Sequence, residues 1–306
     1  MHSCSVIIPT LNAGHLLADL VNRLREQATV PDEIIVIDSS STDNTVAEAI
    51  RLGCTTISIP RLEFNHGGTR NAAALKAKGD ILIFLTQDAL PVDHLFLEEL
   101  LRPIIRENVA ATYARQIPNA SARAAEKFAR AFNYPDTATL RTKSDIPLLG
   151  IKAYFFSNVA SAIRKDFFLK NGMFRDDVIM NEDMLFCAKL LKSDYSIKYC
   201  AGSKVYHSHN YSPAQTFQRY FDIGVFYSRH FKDEERLKIK STGKTYSKNL
   251  FVYIIREKKF GELMFYFIET LSKFLGFYIG NIESYLPINL KKIFSLHKSY
   301  WSRDIK

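Results

Sequence analysis

Apolar and polar positions alternate in blocks over the first hundred residues of the chain. Four apolar runs rich in β-branched residues have the length of buried strands: SVIIPT (5–10), EIIVID (33–38), TTISIP (55–60) and DILIFLTQ (80–87). Four amphipathic helical patterns lie between or after them: 14–27, 43–52, 69–78 and 93–107. Continuous apolar strands separated by helices predict a mostly parallel sheet flanked by helices, in a Rossmann-like α/β arrangement.

The pattern becomes less regular after residue 110 and turns helical and basic after Ser212. A helix is predicted to begin near Glu182. Further strands are predicted at VAATYARQ (109–116), near YFFSNVASAIR (154–164) and in SIKYCAGSKVYHSH (196–209). We therefore expect an α/β domain over residues 1–230 and a helical C-terminal region over residues 231–306.

The positive charge of the chain is concentrated in its last quarter. The 306 residues carry a net charge of +9. Residues 1–231 have 26 Lys/Arg against 24 Asp/Glu, or +2, whereas residues 232–306 have 15 against 8, or +7. A basic segment rich in Phe and Tyr predicts an anionic partner surface, either a membrane or nucleic acid. The cysteines have neither zinc-site nor disulfide-framework spacing, which favours a reducing compartment: Cys4, Cys54, Cys187 and Cys200.

An apolar helix is predicted over residues 262–280, between the basic clusters REKK (256–259) and LKK (290–292). Glu269 and Lys273 interrupt it, and no run in the chain reaches the roughly 18 apolar residues of a spanning helix. We expect this helix to lie in the plane of an anionic membrane surface. The alternative is a helix that buries its broad apolar face in the protein or in a second subunit. The N-terminal residues lack a charged leader and a cleavage site, so no signal peptide is predicted.

Several residues that could bind a ligand fall at the ends of the first four predicted strands: Pro9, Asp38, Arg61 and Asp88. Ligands of parallel α/β sheets bind beyond the carboxyl ends of the strands, so we expect these residues at one binding edge. Asp38 could accept hydrogen bonds from a nucleotide or simply close a turn. Asp88 could hold Mg²⁺ or Mn²⁺ against a diphosphate.

Three further motifs lie away from these strand ends. Glu182 and Asp183 open a predicted helix, where they either complement the helix dipole or supply a general base. His207 and His209 fall on the same face of a strand and could reach one metal ion or one phosphate. The stretch FNHGGTRNAAA (64–74) places paired glycines before a helix, which suits a phosphate site and equally an ordinary helix start.

The order of these features resembles the family 2 glycosyltransferases, which have the GT-A fold. The resemblance runs from SVIIPTLN through the strand-end aspartates, the GGTRN loop and the acidic pair to the late histidines, and covers about residues 3–230. Within the family, FNHGGTRN and SHNYSPAQTFQRYFDIG are similar to bacterial rhamnosyltransferases that build surface polysaccharides. The resemblance implies an inverting transfer of L-rhamnose from dTDP-β-L-rhamnose to a hydroxyl of a lipid-linked saccharide. UDP- and GDP-sugars are the alternative donors. It also implies an enzyme at the cytoplasmic face of the bacterial inner membrane.

The resemblance implies a role for each candidate residue. Asp183 would be the catalytic base, and Glu182 would position the acceptor or the sugar. Contacts to the nucleotide-sugar are expected from Pro9, Thr10, Asp38, Arg61, Gly68, Arg70, Asn71, Gln87 and Arg219. The implied cofactor is a divalent cation, Mg²⁺ or Mn²⁺, with Asp88, His207 and His209 as candidate ligands and the two histidines as competing choices.

One position departs from the family pattern. The family usually carries Asp-x-Asp at strand 4, where this chain has Thr86, Gln87 and Asp88, so one aspartate and a histidine would hold the ion.

Two other protein classes are alternatives to this family. A sugar-phosphate nucleotidyltransferase would carry a GxGTRL-type signature after the first strand, where this chain reads PTLNAGH. A nucleic-acid-binding protein would need a patterned basic face, and the apolar helix argues against one, so no nucleic-acid partner is expected. The sequence leaves the oligomeric state open.

Overall fold

The computed structural model describes residues 2–231 and 233–302 of the chain. The described residues divide into two units by their contacts. The first unit contains the residues up to 119 together with 133–176 and 182–208. The second contains 120–132, 177–181 and the chain from residue 209 onward. The division after residue 208 is earlier than the domain boundary predicted after residue 230.

The first unit is built on one mixed β-sheet. Its nine described strands are β1 Cys4–Thr10, β2 Glu33–Asp38, β3 Thr55–Ser58, β4 Ile81–Leu85, β5 Leu90–Pro91, β6 Ala111–Ile117, β7 Thr139–Arg141, β8 Ala160–Arg164 and β9 Ile197–Tyr206. Their order in the sheet is β3-β2-β1-β4-β8-β6-β9-β5, and β7 also pairs with β9.

Helices connect the strands and make up most of the second unit. The described α-helices are α1 His15–Arg25, α2 Thr45–Arg51, α3 His66–Lys76, α4 Phe96–Arg106, α5 Ala124–Asn133, α6 Ile146–Leu149, α7 Lys165–Lys170, α8 Glu182–Lys192, α9 Pro213–His230, α10 Asp233–Arg256, α11 Leu263–Asn281 and α12 Ile288–Phe294. None of these described helices combines the length and the apolar character needed to cross a membrane.

The parallel sheet predicted for the first hundred residues is confirmed in β1–β4. Strand β1 pairs in parallel with β2 and β4, and β2 pairs in parallel with β3. Strands β1, β2 and β4 are buried along nearly all of their length, which explains their continuous apolar sequences, whereas β3 lies at the sheet edge and is partly exposed. Thr10 lies opposite Asp38 in the β1–β2 register, so the two strands end at the same edge.

The sheet is mixed beyond β4, and this was not predicted. Strand β8 is antiparallel to both β4 and β6. Strand β9 is parallel to β6 but antiparallel to β5 and β7. An apolar run shows that a strand is buried but not which neighbour it pairs with or in which direction, so the sequence pattern could not give this half of the topology.

The second unit is organised around close packing between α9 and α11. A Cβ atom built on Gly276 would lie 2.3 Å from the Phe217 carbonyl oxygen, and one on Gly280 would lie 2.1 Å from that of Phe221. One built on Gly224 would lie 2.4 Å from the Phe277 carbonyl oxygen. Helix α9 therefore packs closely against α11, because glycines on both helices let the backbones approach.

Candidate active site

The ends of β1 and β2 are joined through the side chain of Asp38. The Thr10 hydroxyl donates a hydrogen bond to Asp38 Oδ1 at 2.9 Å, and the Ser41 backbone N–H donates to Oδ2 at 2.8 Å. The Ser41 hydroxyl also donates to Oδ1. A carboxylate can accept about four hydrogen bonds, so Asp38 can fix this loop and still accept one from a ligand. Pro9 lies beside these residues in β1, partly buried.

The side chain of Gln87 holds the segment that follows β1. Its Oε1 accepts from the Leu11 backbone N–H at 2.8 Å, and its Nε2 donates to the Leu11 carbonyl oxygen at 3.2 Å. The amide thus pairs with the backbone as a neighbouring strand would. Gln87 occupies the middle of the Thr86–Asp88 triplet, so it ties the loop that carries Asp88 to the end of β1.

Asp88 and His207 come together beyond the carboxyl end of β4. The Asp88 Oδ2 and His207 Nε2 atoms are 3.5 Å apart. The other ring nitrogen of His207, Nδ1, lies 2.9 Å from Gln116 Oε1. Gln116 in turn donates through Nε2 to the Tyr134 hydroxyl and to the Ser157 hydroxyl at 2.9 Å. These two bonds orient the amide with its oxygen toward the ring, so Nδ1 donates to Gln116 Oε1 and Nε2 is the ring nitrogen on the Asp88 side.

This pair fits a divalent cation. Bonds of about 2.0–2.3 Å from one ion to a carboxylate oxygen and an imidazole nitrogen place the two ligand atoms roughly 3–4 Å apart. The observed separation of 3.5 Å lies in this range. A metal-bound histidine ordinarily donates its second N–H to an oxygen, as His207 does to Gln116.

The acidic pair at the start of α8 is held in two different ways. Glu182 is buried, and its Oε1 accepts from Arg70 Nη1 at 3.2 Å and from Asn158 Nδ2 at 3.1 Å. Asp183 accepts from the backbone N–H groups of Asn158, at 2.9 Å, and Met184, at 2.7 Å. Burial, with the neighbouring Glu182 carboxylate as the second cause, raises the pKa of Asp183 to about 7. A carboxylate with this pKa is suited to general-base work near neutral pH.

Comparison with known proteins identifies the family. The family model described as glycosyl transferase family 2 matches residues 5–172, more than half of the chain. The chain belongs to glycosyl transferase family 2. This glycosyltransferase is 37% identical over 301 residues to the O-antigen chain rhamnosyltransferase RfbN of Salmonella typhimurium, with 97% of this chain and 96% of the relative covered. It is 38% identical over 305 residues to the O-antigen chain rhamnosyltransferase WbaN of Salmonella anatum, with 99% and 96% covered.

A solved structure has the same fold as the family 2 glycosyltransferase described here. It is the mannosyltransferase PcManGT from Pyrobaculum calidifontis in complex with GDP-Man and Mn²⁺. The TM-score is 0.62 at 15% sequence identity, with 93% of this chain and 88% of the solved chain covered. At this identity the likeness concerns the fold alone, and it confirms the predicted GT-A type of α/β architecture.

Three residues near the start of α3 that were predicted to contact the nucleotide-sugar form contacts within this glycosyltransferase. Arg70 is buried on Glu182, and its Nη1 also donates to the His66 carbonyl oxygen at 2.9 Å. The Asn71 amide pairs with the backbone of Phe174 through bonds of 2.7 and 3.1 Å. Gly68 donates its N–H to the side chain of Asn65, the N-cap residue of α3. These contacts give all three a structural role, and their predicted contacts to the nucleotide-sugar stay predictions.

Three predicted residues remain, Arg61, His209 and Arg219, and their predicted contacts to the donor or the metal stay predictions. Arg61 is exposed in a short 3-10 turn after β3. His209 and Arg219 belong to the second unit. The His209 ring stacks on Tyr211 with centroids 5.1 Å apart, and the Arg219 guanidinium lies 5.8 Å from the same Tyr211 ring.

Two residues that organise the site of this family 2 enzyme were not found from the sequence. Gln116 fixes the His207 ring, and Asn158 bonds Glu182 through its side chain and Asp183 through its backbone. Ser161 orients the Asn158 amide by donating to its Oδ1 at 2.9 Å. The one available signal was an amide at a core position of a predicted strand, as Gln116 is in VAATYARQ, because a buried polar side chain needs a partner.

Proposed function

We propose that this family 2 glycosyltransferase transfers L-rhamnose from dTDP-β-L-rhamnose to a hydroxyl group of a lipid-linked saccharide, in the synthesis of a cell-surface polysaccharide. The observation that carries the proposal is the 37–38% identity, over nearly the whole chain, to two O-antigen chain rhamnosyltransferases. Such coverage includes the second unit, whereas the family model ends at residue 172. The same observation leaves a nucleotidyltransferase or a nucleic-acid-binding protein without support.

The donor nucleotide would bind at the edge formed by β1, β2 and the loop after β4. Asp38 and Thr10 would contact the nucleoside, with Pro9 beside them and Gln87 holding the floor of the pocket. A divalent cation would be held by Asp88 and His207, and the imidazole ligand favours Mn²⁺ over Mg²⁺ because Mg²⁺ prefers oxygen. When bound, the cation would offset the negative charge that develops on the departing diphosphate.

Asp183 would serve as the general base. It takes the proton of the acceptor hydroxyl while that oxygen forms a bond to the anomeric carbon of the donor. The bond between the anomeric carbon and the diphosphate breaks on the opposite side, and dTDP leaves. One displacement inverts the configuration, so a β-linked donor gives an α-rhamnoside. Glu182, neutralised by Arg70, would keep Asn158 in place and so hold the base.

The acceptor and the location belong to the same proposal. A lipid-linked saccharide is presented at a membrane surface, so the enzyme would work as a peripheral protein on the cytoplasmic face of the bacterial inner membrane. The +7 balance of residues 232–306 supports an anionic surface as the partner of the C-terminal region.

A donor screen tests the proposed reaction. Purified protein is incubated with dTDP-rhamnose, UDP-glucose, UDP-N-acetylglucosamine or GDP-mannose, each with and without Mn²⁺, and the released nucleoside diphosphate is measured in the presence of a membrane saccharide extract. We expect acceptor-dependent release of dTDP to exceed the release from the other donors by at least tenfold. Preferential release of UDP or GDP would overturn the rhamnose assignment and leave the family unaffected.

A further inference from the structure

The helix α11 has its two faces reversed relative to an ordinary surface helix. Every exposed residue between Leu263 and Asn281 is apolar or aromatic. We call these residues the apolar ridge: Met264, Phe267, Ile268, Leu271, Phe274, Leu275 and Tyr278. At about 100° per residue they occupy roughly 120° of the helix circumference, over a length of about 21 Å. A surface helix normally turns such a stripe toward the core.

The polar and small residues of α11 lie on the opposite, buried face. Gly276 and Gly280 contact the backbone of α9. Glu269 and Lys273 form an ion pair of 2.6 Å, with side chains only 14% and 18% exposed. Rotating the helix to bury the apolar ridge would separate these glycines from α9 and expose the close-packed face. The exposure of the ridge is therefore imposed by the packing of the second unit.

Neighbouring residues extend the apolar ridge and surround one end of it with positive charge. The Phe251 ring of α10 lies 6.3 Å from the Phe267 ring, and Val252 and Ile255 are also exposed. The end of α10 and its connection to α11 carry three exposed cations, Arg256, Lys258 and Lys259, against one exposed anion, Glu257. An exposed apolar surface of this extent marks an interaction site, and basic residues at its border select an anionic partner.

We propose that the apolar ridge inserts into the headgroup–acyl boundary of an anionic phospholipid bilayer, with α11 lying in the membrane plane and Arg256, Lys258 and Lys259 contacting lipid phosphates. A second copy of the chain suits this surface less well, because pairing two C-terminal segments of +7 brings like charges together. Tyr278 in the ridge fits a bilayer interface, where tyrosine is enriched. This deepens the proposed function by naming the surface that would bring the enzyme to a lipid-linked acceptor.

Vesicle sedimentation of the full chain tests the proposal. Wild-type protein is compared with the double variant L271E/F274E on vesicles of phosphatidylglycerol and phosphatidylcholine, and on phosphatidylcholine alone. Leu148→Glu is the matched control, because Leu148 is a 79% exposed leucine of α6 in the first unit. We expect the double variant to bind the anionic vesicles at least tenfold more weakly than wild type, and the control to bind like wild type. We also expect K258E/K259E to lose the preference for anionic vesicles.

Three results would overturn the membrane assignment. Wild-type protein could stay in the supernatant with every vesicle, or the control could lose as much binding as the double variant. Light scattering could instead show a wild-type dimer that L271E/F274E converts to a monomer, which would assign the ridge to a second copy of the chain. Nucleotide release with a soluble acceptor separates this test from the proposed function: vesicle binding without any transfer would refute the function and keep the ridge assignment.

Discussion

At the scale of single residues, the site contains two adjacent carboxylates with different environments. Glu182 is buried on Arg70 and Asn158, whereas Asp183 accepts hydrogen bonds only from backbone N–H groups among the described contacts. The Arg70 guanidinium compensates the charge of Glu182 directly, and none of the described cationic side chains forms a hydrogen bond with Asp183. This explains why burial raises the pKa of Asp183 and why Asp183, not Glu182, is assigned as the base.

Replacing Asp183 by Asn is expected to reduce turnover by about 10²–10⁴-fold, because an amide cannot take the acceptor proton. The side chain keeps its size, so the affinity for the nucleotide should change little. Turnover is measured as acceptor-dependent nucleotide release, and affinity by calorimetry with dTDP. Asp194→Asn, an exposed position after α8, is the control. Near wild-type turnover in the Asp183 variant would exclude this residue as the base.

The pH dependence of kcat/KM follows from the raised pKa of Asp183. Below about pH 7 the carboxyl group carries its own proton and cannot accept another. The rate is therefore expected to fall about tenfold per pH unit on the acid side of 7 and to level off above it. Circular dichroism at each pH checks that the protein stays folded. A profile that is flat down to pH 5 would contradict the assigned pKa.

Gln116 gives a prediction for metal binding that does not depend on catalysis. Gln116→Leu removes the oxygen that accepts from His207 Nδ1, and loss of such a partner weakens metal binding by about 10–100-fold. Gln116→Glu keeps an acceptor oxygen and should bind Mn²⁺ much as the wild type does. Free Mn²⁺ is measured by electron paramagnetic resonance during titration. Equal affinities in both variants and the wild type would show that Gln116 does not support a metal ligand.

At the scale of elements, the contact between α9 and α11 depends on glycine. A methyl group at Gly280 would lie 2.1 Å from the Phe221 carbonyl oxygen, which is backbone and cannot move aside without shifting α9. We expect Gly280→Ala to destabilise the protein by about 1–3 kcal/mol, as over-packing of a close contact does. Gly243→Ala in α10 is the control, because no atom lies within 4 Å of its added methyl and alanine favours helix by up to about 1 kcal/mol. Urea unfolding compares the two, and equal midpoints would contradict the packing account.

The elements also show which features of the fold can be predicted from the sequence. Strands β1, β2 and β4 were predictable because burial on both faces leaves a continuous apolar run, and the partly exposed β3 was predictable from its β-branched residues. Helix α3 begins at His66, three residues before the predicted start at residue 69. The prediction placed Gly68 in a loop before the helix, whereas Gly68 lies in the first turn and donates its N–H to the side chain of Asn65, the N-cap residue. The direction of β8 and the exposed side of α11 were beyond prediction, because both depend on which distant element packs against them.

The site residues, like the elements, could be predicted only where their own place in the sequence was informative. Asp38, Asp88 and Asp183 could be proposed from their positions at strand ends and at a helix start. Gln116 and Asn158 could not, because an isolated amide in a sequence does not reveal the histidine or the carboxylate that it will bond. Arg70 was predicted to contact the donor, which stays a prediction, and its bond to the buried Glu182, 112 residues away in the chain, could not be foreseen.

At the scale of the whole molecule, the two units carry different kinds of chemistry. The first unit contains the Asp88–His207 pair and Asp183, the proposed base, and the second contains the apolar ridge and the basic segment. The proposed function needs both, since a soluble nucleotide-sugar must meet an acceptor held at a membrane. A variant of the ridge should therefore lose transfer to membrane-bound acceptor while keeping transfer to a soluble one.

The configuration of the product tests the central claim most directly. The enzyme is incubated with dTDP-β-L-rhamnose, Mn²⁺ and a soluble saccharide acceptor, and the new glycosidic bond is assigned by NMR from the one-bond coupling at the anomeric carbon. A single displacement assisted by Asp183 predicts an α-rhamnoside as the only new glycoside. A β-rhamnoside, or free rhamnose without a new glycoside, would contradict the account.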